Sequence, residues 1–432
     1  MINFKLSHYK NKIREPYKKI VSNKSLLNGA FFSLFSFINK GFVFLLLLIL
    51  ANYIAPAEYG YLSLFVTVTM VIGYFMALST EGYLGVAFFK DKKYGVKLTL
   101  SGVVMIATSM ALLMFLCLYL LGDTICKVLQ LPLPILFDAV GVCFFTLLFN
   151  LYIDYIRLQE RVLFYGFISC SNALLNFVVS ILLVKTYLMG WQGRVYAQLG
   201  CFVLYGIVAI IFFTRKRLWV KPNWVSLKKI IIWGLPIIPH LAANFIRQGC
   251  DRYIISYNHS IADVGLFSFA LNIANVVIMI GIGFNQSNSV DIYKVLGNTE
   301  LSKDEKLKSL KSQRVLIQRV FFVLTLLIMI IGYFTLPLIL PKYVGAMNYF
   351  LCLAIWGFFQ CLYFLYTNYL FFYNKTRNIM YITFGTSLLH LTLSLLLTKY
   401  SLYYTCAIYV FVQILVFLLI RKAALKVIKN NL

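Results

Sequence analysis

Within the apolar run 230–256 stand four polar side chains at helical spacing. His240, Asn244, Arg247 and Asp251 are separated by 4, 3 and 4 residues, and Arg252 follows directly. On a continuous helix that spacing puts the four on one face. The run is otherwise apolar enough to cross a bilayer. Charge at that depth is costly, so the stretch is a functional-site candidate. The chemistry it offers is recognition of an anion: arginine presents a planar fork of donors suited to phosphate, and neighbouring amides suit hydroxyl-rich groups. A plainer reading stays open for each residue. Arg247 and Asp251 lie one turn apart and could neutralise each other. Arg252 could reach out to lipid headgroups. His240 follows Pro236 and Pro239 and could bond carbonyls freed by a kink.

A second deep cation, Lys40, lies in the run 26–51 with Ser33 and Ser36 on its face and no acid at helical spacing. At about 1.5 Å per residue it falls near the middle of its span, while Arg247 sits roughly 6 Å and Arg252 about 13 Å outward of the middle of theirs. Ser268, Asn272, Asn275 and Gln286 form a stripe on a later span, and Thr69, Gly73 and Thr80 a weaker one. Lys40, Arg247, Arg252, Asn244 and His240 are therefore the candidate binding residues. Asp251 and Glu81, the latter at the inner end of the run 61–80, are the acids placed to couple an ion. Asp154 and Asp291 fall at cytoplasmic helix ends and read as interfacial.

These residues need a membrane scaffold, and the composition supplies one. The chain of 432 residues is 61% hydrophobic and 12% charged, about half the charged fraction of a soluble protein. Twelve apolar runs are long enough to span as helices: 26–51, 61–80, 97–121, 134–156, 163–185, 195–214, 230–256, 264–286, 316–340, 344–372, 379–398 and 402–420. The first is too long for a signal-peptide core and reads as a retained span. The expectation is an all-α polytopic membrane protein. It divides into a basic cytoplasmic arm 1–25, a six-helix lobe 26–214, a basic linker 215–229, a second six-helix lobe 230–420 and a basic tail 421–432.

Of the 40 Lys and Arg, five fall on the outer side (Lys127, Lys185, Arg194, Lys342 and Lys399) and three inside the membrane; all the others are cytoplasmic. That asymmetry orients both termini to the cytoplasm. It also accounts for the net charge of +26 without nucleic acid as a partner. The stretch 287–315 reads as an exposed helix joining two spans. The nine cysteines show no metal spacing and read as packing residues. No metal or other cofactor is expected.

The two halves carry a repeat. AEYGYLSL at 57–64 matches ADVGLFSF at 262–269, an offset of 205 residues. Each copy follows a span holding a cation: Lys40 lies 20 residues before Gly60, and Arg247 18 before Gly265. An even number of spans per half gives both copies the same orientation, as in transporters built from parallel repeats.

LANYIAPAEYGYLSLF, WGLPIIPHLAANFIRQGCDRYIIS and ADVGLFSFALNIANVV together resemble the Wzx-type O-antigen flippases. These form the polysaccharide-transport branch of the MOP exporter superfamily. The resemblance covers the whole chain in length, span count and basic ends. It implies two pseudo-symmetric lobes of MOP/MATE type that open alternately to either side. It implies that an undecaprenyl-diphosphate-linked oligosaccharide crosses from the cytoplasmic to the periplasmic leaflet of the bacterial inner membrane, with a polymerase and a chain-length regulator of the same pathway as partners. Asp251, Arg252, Arg247 and Lys40 match lumen positions of the family. Members couple to an ion gradient, and nothing in this sequence names the ion.

Two rival readings remain. A membrane polysaccharide polymerase or glycosyltransferase would need a sizeable outer loop or clustered acids, and the outer loops here are short. A multidrug exporter of the same superfamily would want acids in its cavity, where the deep layer here is basic.

Overall fold

A computed structural model describes residues 24–90 and 95–431, with the side chains of 24–27, 29, 30, 33 and 240 outside that description. Most of the basic arm therefore lies outside the described residues, as do the side chains of Ser33 and His240. The described residues form helices and turns with no strand. In chain order the helices are α1 (Lys24–Tyr53), α2 (Pro56–Met76), α3 (Tyr83–Lys90), α4 (Gly95–Leu129), α5 (Leu133–Leu158), α6 (Val162–Ile181), α7 (Gly190–Arg215), α8 (Trp224–Gly234), α9 (Ile238–Gln248), α10 (Cys250–Asn258), α11 (Ile261–Gly297), α12 (Lys303–Ile339), α13 (Met347–Phe372), α14 (Thr376–Leu397) and α15 (Leu402–Asn431). Among these residues twelve helical segments are long and apolar enough to cross a membrane, matching the twelve expected spans in order. Large apolar side chains stand exposed along α4 and α12, among them Leu112, Leu116, Ile330 and Leu338, as lipid-facing surfaces require.

Three local departures have clear causes. The stretch 287–315 is not a separate helix: α11 and α12 each run for 37 residues. At about 1.5 Å per residue each is roughly 55 Å long, well beyond a hydrocarbon core of about 30 Å, so the stretch 287–315 is the continuation of two spans. The break between them is set by Ser302, whose side chain caps the N-terminus of α12 in a capping box with Glu305. Residues 57–60, ahead of the expected run 61–80, form the first helical turn of α2, opened by Pro56, where proline's missing N–H costs nothing. The run 230–256 is broken twice, by a 3-10 turn at Leu235–Ile237 and again at Gly249.

The chain forms two compact units. One comprises residues 1–50, 72–122 and 133–237; the other comprises 51–71, 123–132 and 238–432. In the first, α5 and α7 pack closely, with Gly206 against the Phe145 ring. Gly234 abuts the backbone at Leu78 and Ser79, leaving no room for a Cβ. Arg194 turns from the first turns of α7 onto Asn176 and, at 3.1 Å, Ser180 of α6. In the second unit, α11, α13 and α15 form the central bundle, packed through Val277, Cys361, Tyr366, Val412 and Val416.

Candidate functional site

The site is organised by the break at Gly249. Arg247 lies in the last turn of α9, and Asp251 in the first turn of α10. Each charge thus sits at the helix pole that stabilises it, cation at a C-terminus and anion at an N-terminus. The break also corrects the expectation of one continuous polar face: His240, Asn244 and Arg247 belong to α9, and Asp251 belongs to another helix. Arg252 closes the break. Its Nη1 donates to the Gln248 carbonyl at 2.9 Å, satisfying one of the acceptors that a helix end leaves open.

Asp251 does not pair with Arg247. It is 1% exposed, and its Oδ2 lies 2.8 Å from Nε2 of His390 on α14, itself 2% exposed. An ionised carboxylate only accepts, so Nε2 carries the shared proton in that state. The Tyr409 ring of α15 packs edge-on to the imidazole at 4.9 Å. Its hydroxyl faces the same carboxylate without closing a hydrogen bond, and Asp251 Oδ1 is likewise left without a partner. Arg247, Gln248, Trp356, Gln360, His390, Tyr409 and Gln413 line an adjoining cavity of about 30 Å³, room enough for a water molecule. Arg247 Nε and Gln413 Nε2 are buried there without partners. Unmet donors and an unmet carboxylate oxygen so close together are unusual in a folded interior, and they mark a place where a ligand or a proton can be accommodated.

Arg252 points inward rather than to outer headgroups. Besides Gln248 it donates from Nε to Ser268 of α11 at 3.2 Å and from Nη1 to Thr67 of α2 at 3.4 Å. It thereby joins α10 to the two helices that carry the repeat. The two copies of the repeat meet each other. A Cβ on Gly60 would lie 2.0 Å from the Ile261 carbonyl oxygen, and a Cβ on Gly265 would lie 1.8 Å from the Pro56 carbonyl oxygen. Pro56 and Ile261 are themselves 205 residues apart, so the contact is reciprocal. Glu58 and Asp263 each cap the start of their own helix, at the Ala55 and Ser260 amides. The shared pattern is thus an acid for the cap and a glycine for the crossing. Asn272 donates to the Tyr59 hydroxyl at 2.9 Å beside it.

The other expected residues are placed as follows. Lys40 is exposed on α1, and its neighbour Asn39 donates to Ser169 of α6. Lys40 lies in the first unit and Arg247 in the second. Asn244 is half-buried on α9. Glu81 lies beyond the end of α2 in the turn before α3, where burial pushes its carboxyl up. His390, Tyr409, Gln413 and Thr67 are not among the residues expected from the sequence. The signal for His390 was present: Thr386, His390 and Ser394 are four apart on an apolar run, and all are buried.

No protein-family model matches the chain. It is 25% identical over 344 residues to a Haemophilus influenzae protein named Lsg locus putative protein 1, covering 77% of this chain and 81% of that one. It is 24% identical over 355 residues to an uncharacterized membrane protein of the same organism, covering 81% and 84%. Among solved structures it resembles an inward-facing multidrug resistance MATE family transporter of the MOP superfamily. There the TM-score is 0.70 and the identity 12%, over 89% of this chain and 94% of the other. It also resembles the lipid II flippase MurJ in an inward closed conformation, with TM-score 0.67 and 13% identity over 93% and 90%. The chain is a multi-pass membrane protein with the twelve-helix, two-lobed fold of MOP-superfamily transporters and flippases. At these identities the structural likeness carries fold alone.

Proposed function

We propose that the chain is a Wzx-type flippase. It moves an undecaprenyl-diphosphate-linked oligosaccharide, a surface-polysaccharide repeat unit, from the cytoplasmic to the periplasmic leaflet by alternating access. It does so in the bacterial inner membrane with both termini cytoplasmic. The observation that carries this reading is the Arg247 guanidinium: it is held within a membrane fold beside Gln413 and Gln360, with its Nε unpaired and Asp251 committed to His390. A cation kept at that depth without an acid is arranged for an anion. Lys40 is the matching cation of the first unit, and each of the two cations is read as a ligand for diphosphate oxygens. Arg252 and Asn244 are the further binding candidates of the second unit, with His240 kept as a candidate from the sequence alone. The void beside Arg247 admits only water as it stands, so alternating access must widen it for the headgroup. A lipid II flippase among the structures of like fold supports the choice of a lipid-linked substrate.

The test is surface glycan in strains carrying Lys40→Ala or Arg247→Ala at matched membrane levels. Loss in either supports the reading, and wild-type glycan in both overturns it. One observation favours a second reading, a multidrug antiporter: the solved structure at TM-score 0.70 is a drug transporter. A resistance phenotype lost in Asp251→Asn with intact surface glycan would select it.

A further inference from the structure

The proposed transport cycle leaves the buried imidazole of His390 unused. We infer that His390 and Asp251 together form the proton site that couples transport to the proton gradient, an inference that rests on the flippase reading for its substrate.

The pair has two states that differ by one proton. In the first, Nε2–H donates to the ionised Oδ2 across 2.8 Å, Nδ1 is unprotonated, and the pair carries one negative charge. In the second, Nδ1 takes up a proton and the pair becomes an imidazolium–carboxylate with no net charge. No other bond is made or broken. Histidine is the side chain whose ordinary titration falls in the physiological range, and few positions could use it more directly. Asp251 opens α10 immediately after the Gly249 break, while His390 belongs to α14, which packs on both α9 and α10. Loading a proton therefore changes the charge between a broken span and its neighbour, beside the Arg247 that binds substrate.

The groups facing the pair favour a proton over a metal cation. Arg252 and Cys250 approach from α10, Arg247 from α9, and Tyr409 and Cys406 from α15. A hard cation is held by several carboxylate, carbonyl or water oxygens. Here the carboxylate has an imidazole as its partner and two guanidinium groups close by. Among the described residues no group of three His, Cys, Asp or Glu is placed to hold a metal ion.

Two measurements on the full-length protein test this. The chain has four histidines, so 15N-histidine spectra in detergent are readily assigned with His390→Gln. From pH 8 to pH 5 the His390 signal should gain one proton, and Asp251→Asn should alter that response. A signal that does not titrate, or that ignores Asp251→Asn, overturns the assignment. In sodium-free proteoliposomes with a trapped pH dye, movement of undecaprenyl diphosphate bearing one labelled sugar should carry a pH change. That change should fall at least tenfold in both Asp251→Asn and His390→Gln, each accepted only if monodisperse. Lipid movement without a pH change, or an unaltered change in both variants, also overturns it. If the wild type moves no lipid at all, the substrate reading fails, and the spectra still decide the proton site.

Discussion

Gly249 decides which charged residues act together. Charge inside an apolar run was enough to single out Arg247, Asp251 and Arg252 from the sequence, because ionised groups at that depth are rare whatever the fold. Their partners were not legible in the same way. Helical spacing assigned Asp251 to the face of Arg247, and a single glycine moved it onto the next helix, where it meets His390 from 139 residues downstream. A lone histidine among Thr386, Ser387 and Ser394 carries little signal until something acidic is placed opposite it. At this scale Arg247→Lys should retain part of the transport that Arg247→Ala loses, since lysine keeps the charge and gives up the fork; glycan export at matched expression reads the difference. Arg252→Ala leaves Thr67, Ser268 and the Gln248 carbonyl without their shared donor. It should destabilise the protein by about 1–3 kcal/mol, read as a lowered melting temperature in detergent.

Among the elements, the repeat was visible as a shared pattern, but its purpose was not. One match between two eight-residue stretches could not say that the copies touch. The reciprocal crossing of α2 and α11 supplies the reason for each glycine. Backbone meets backbone there, and no side chain can yield. Gly60→Ala or Gly265→Ala must force the helices apart and should cost about 1–3 kcal/mol or more. Gly200→Ala on α7, where nothing lies within 4 Å, should be neutral or slightly stabilising, since alanine is the better helix former. Thermal unfolding of the three variants side by side checks this, and equal melting temperatures would remove the crossing from the account. The helix ends were less legible than the helices. Hydropathy marks where lipid stops, and α11 and α12 continue well past that point, held by the Ser302 capping box and by Ile292, Leu296 and Leu310 packed into the buried cluster.

For the whole molecule, twelve spans in order were legible because a bilayer imposes length and apolarity on every one of them. The proposed orientation follows from the same source, the crowding of Lys and Arg on alternate loops. In a cysteine-free background, an impermeant maleimide applied from outside should label Ser401→Cys, in the turn between α14 and α15, and spare Ser302→Cys, in the turn before α12; the reverse pattern would invert the topology. The substrate cannot be read from the fold, because drug transporters and a lipid II flippase share it. On the proposed reading it is decided by what Arg247 and Lys40 hold. The most direct test is therefore movement of undecaprenyl-diphosphate-linked oligosaccharide between leaflets of proteoliposomes containing the purified chain. Translocation well above protein-free vesicles, reduced at least tenfold by Arg247→Ala, is the predicted result. Translocation no faster than in empty vesicles, from protein that still exports a cationic drug, would contradict it.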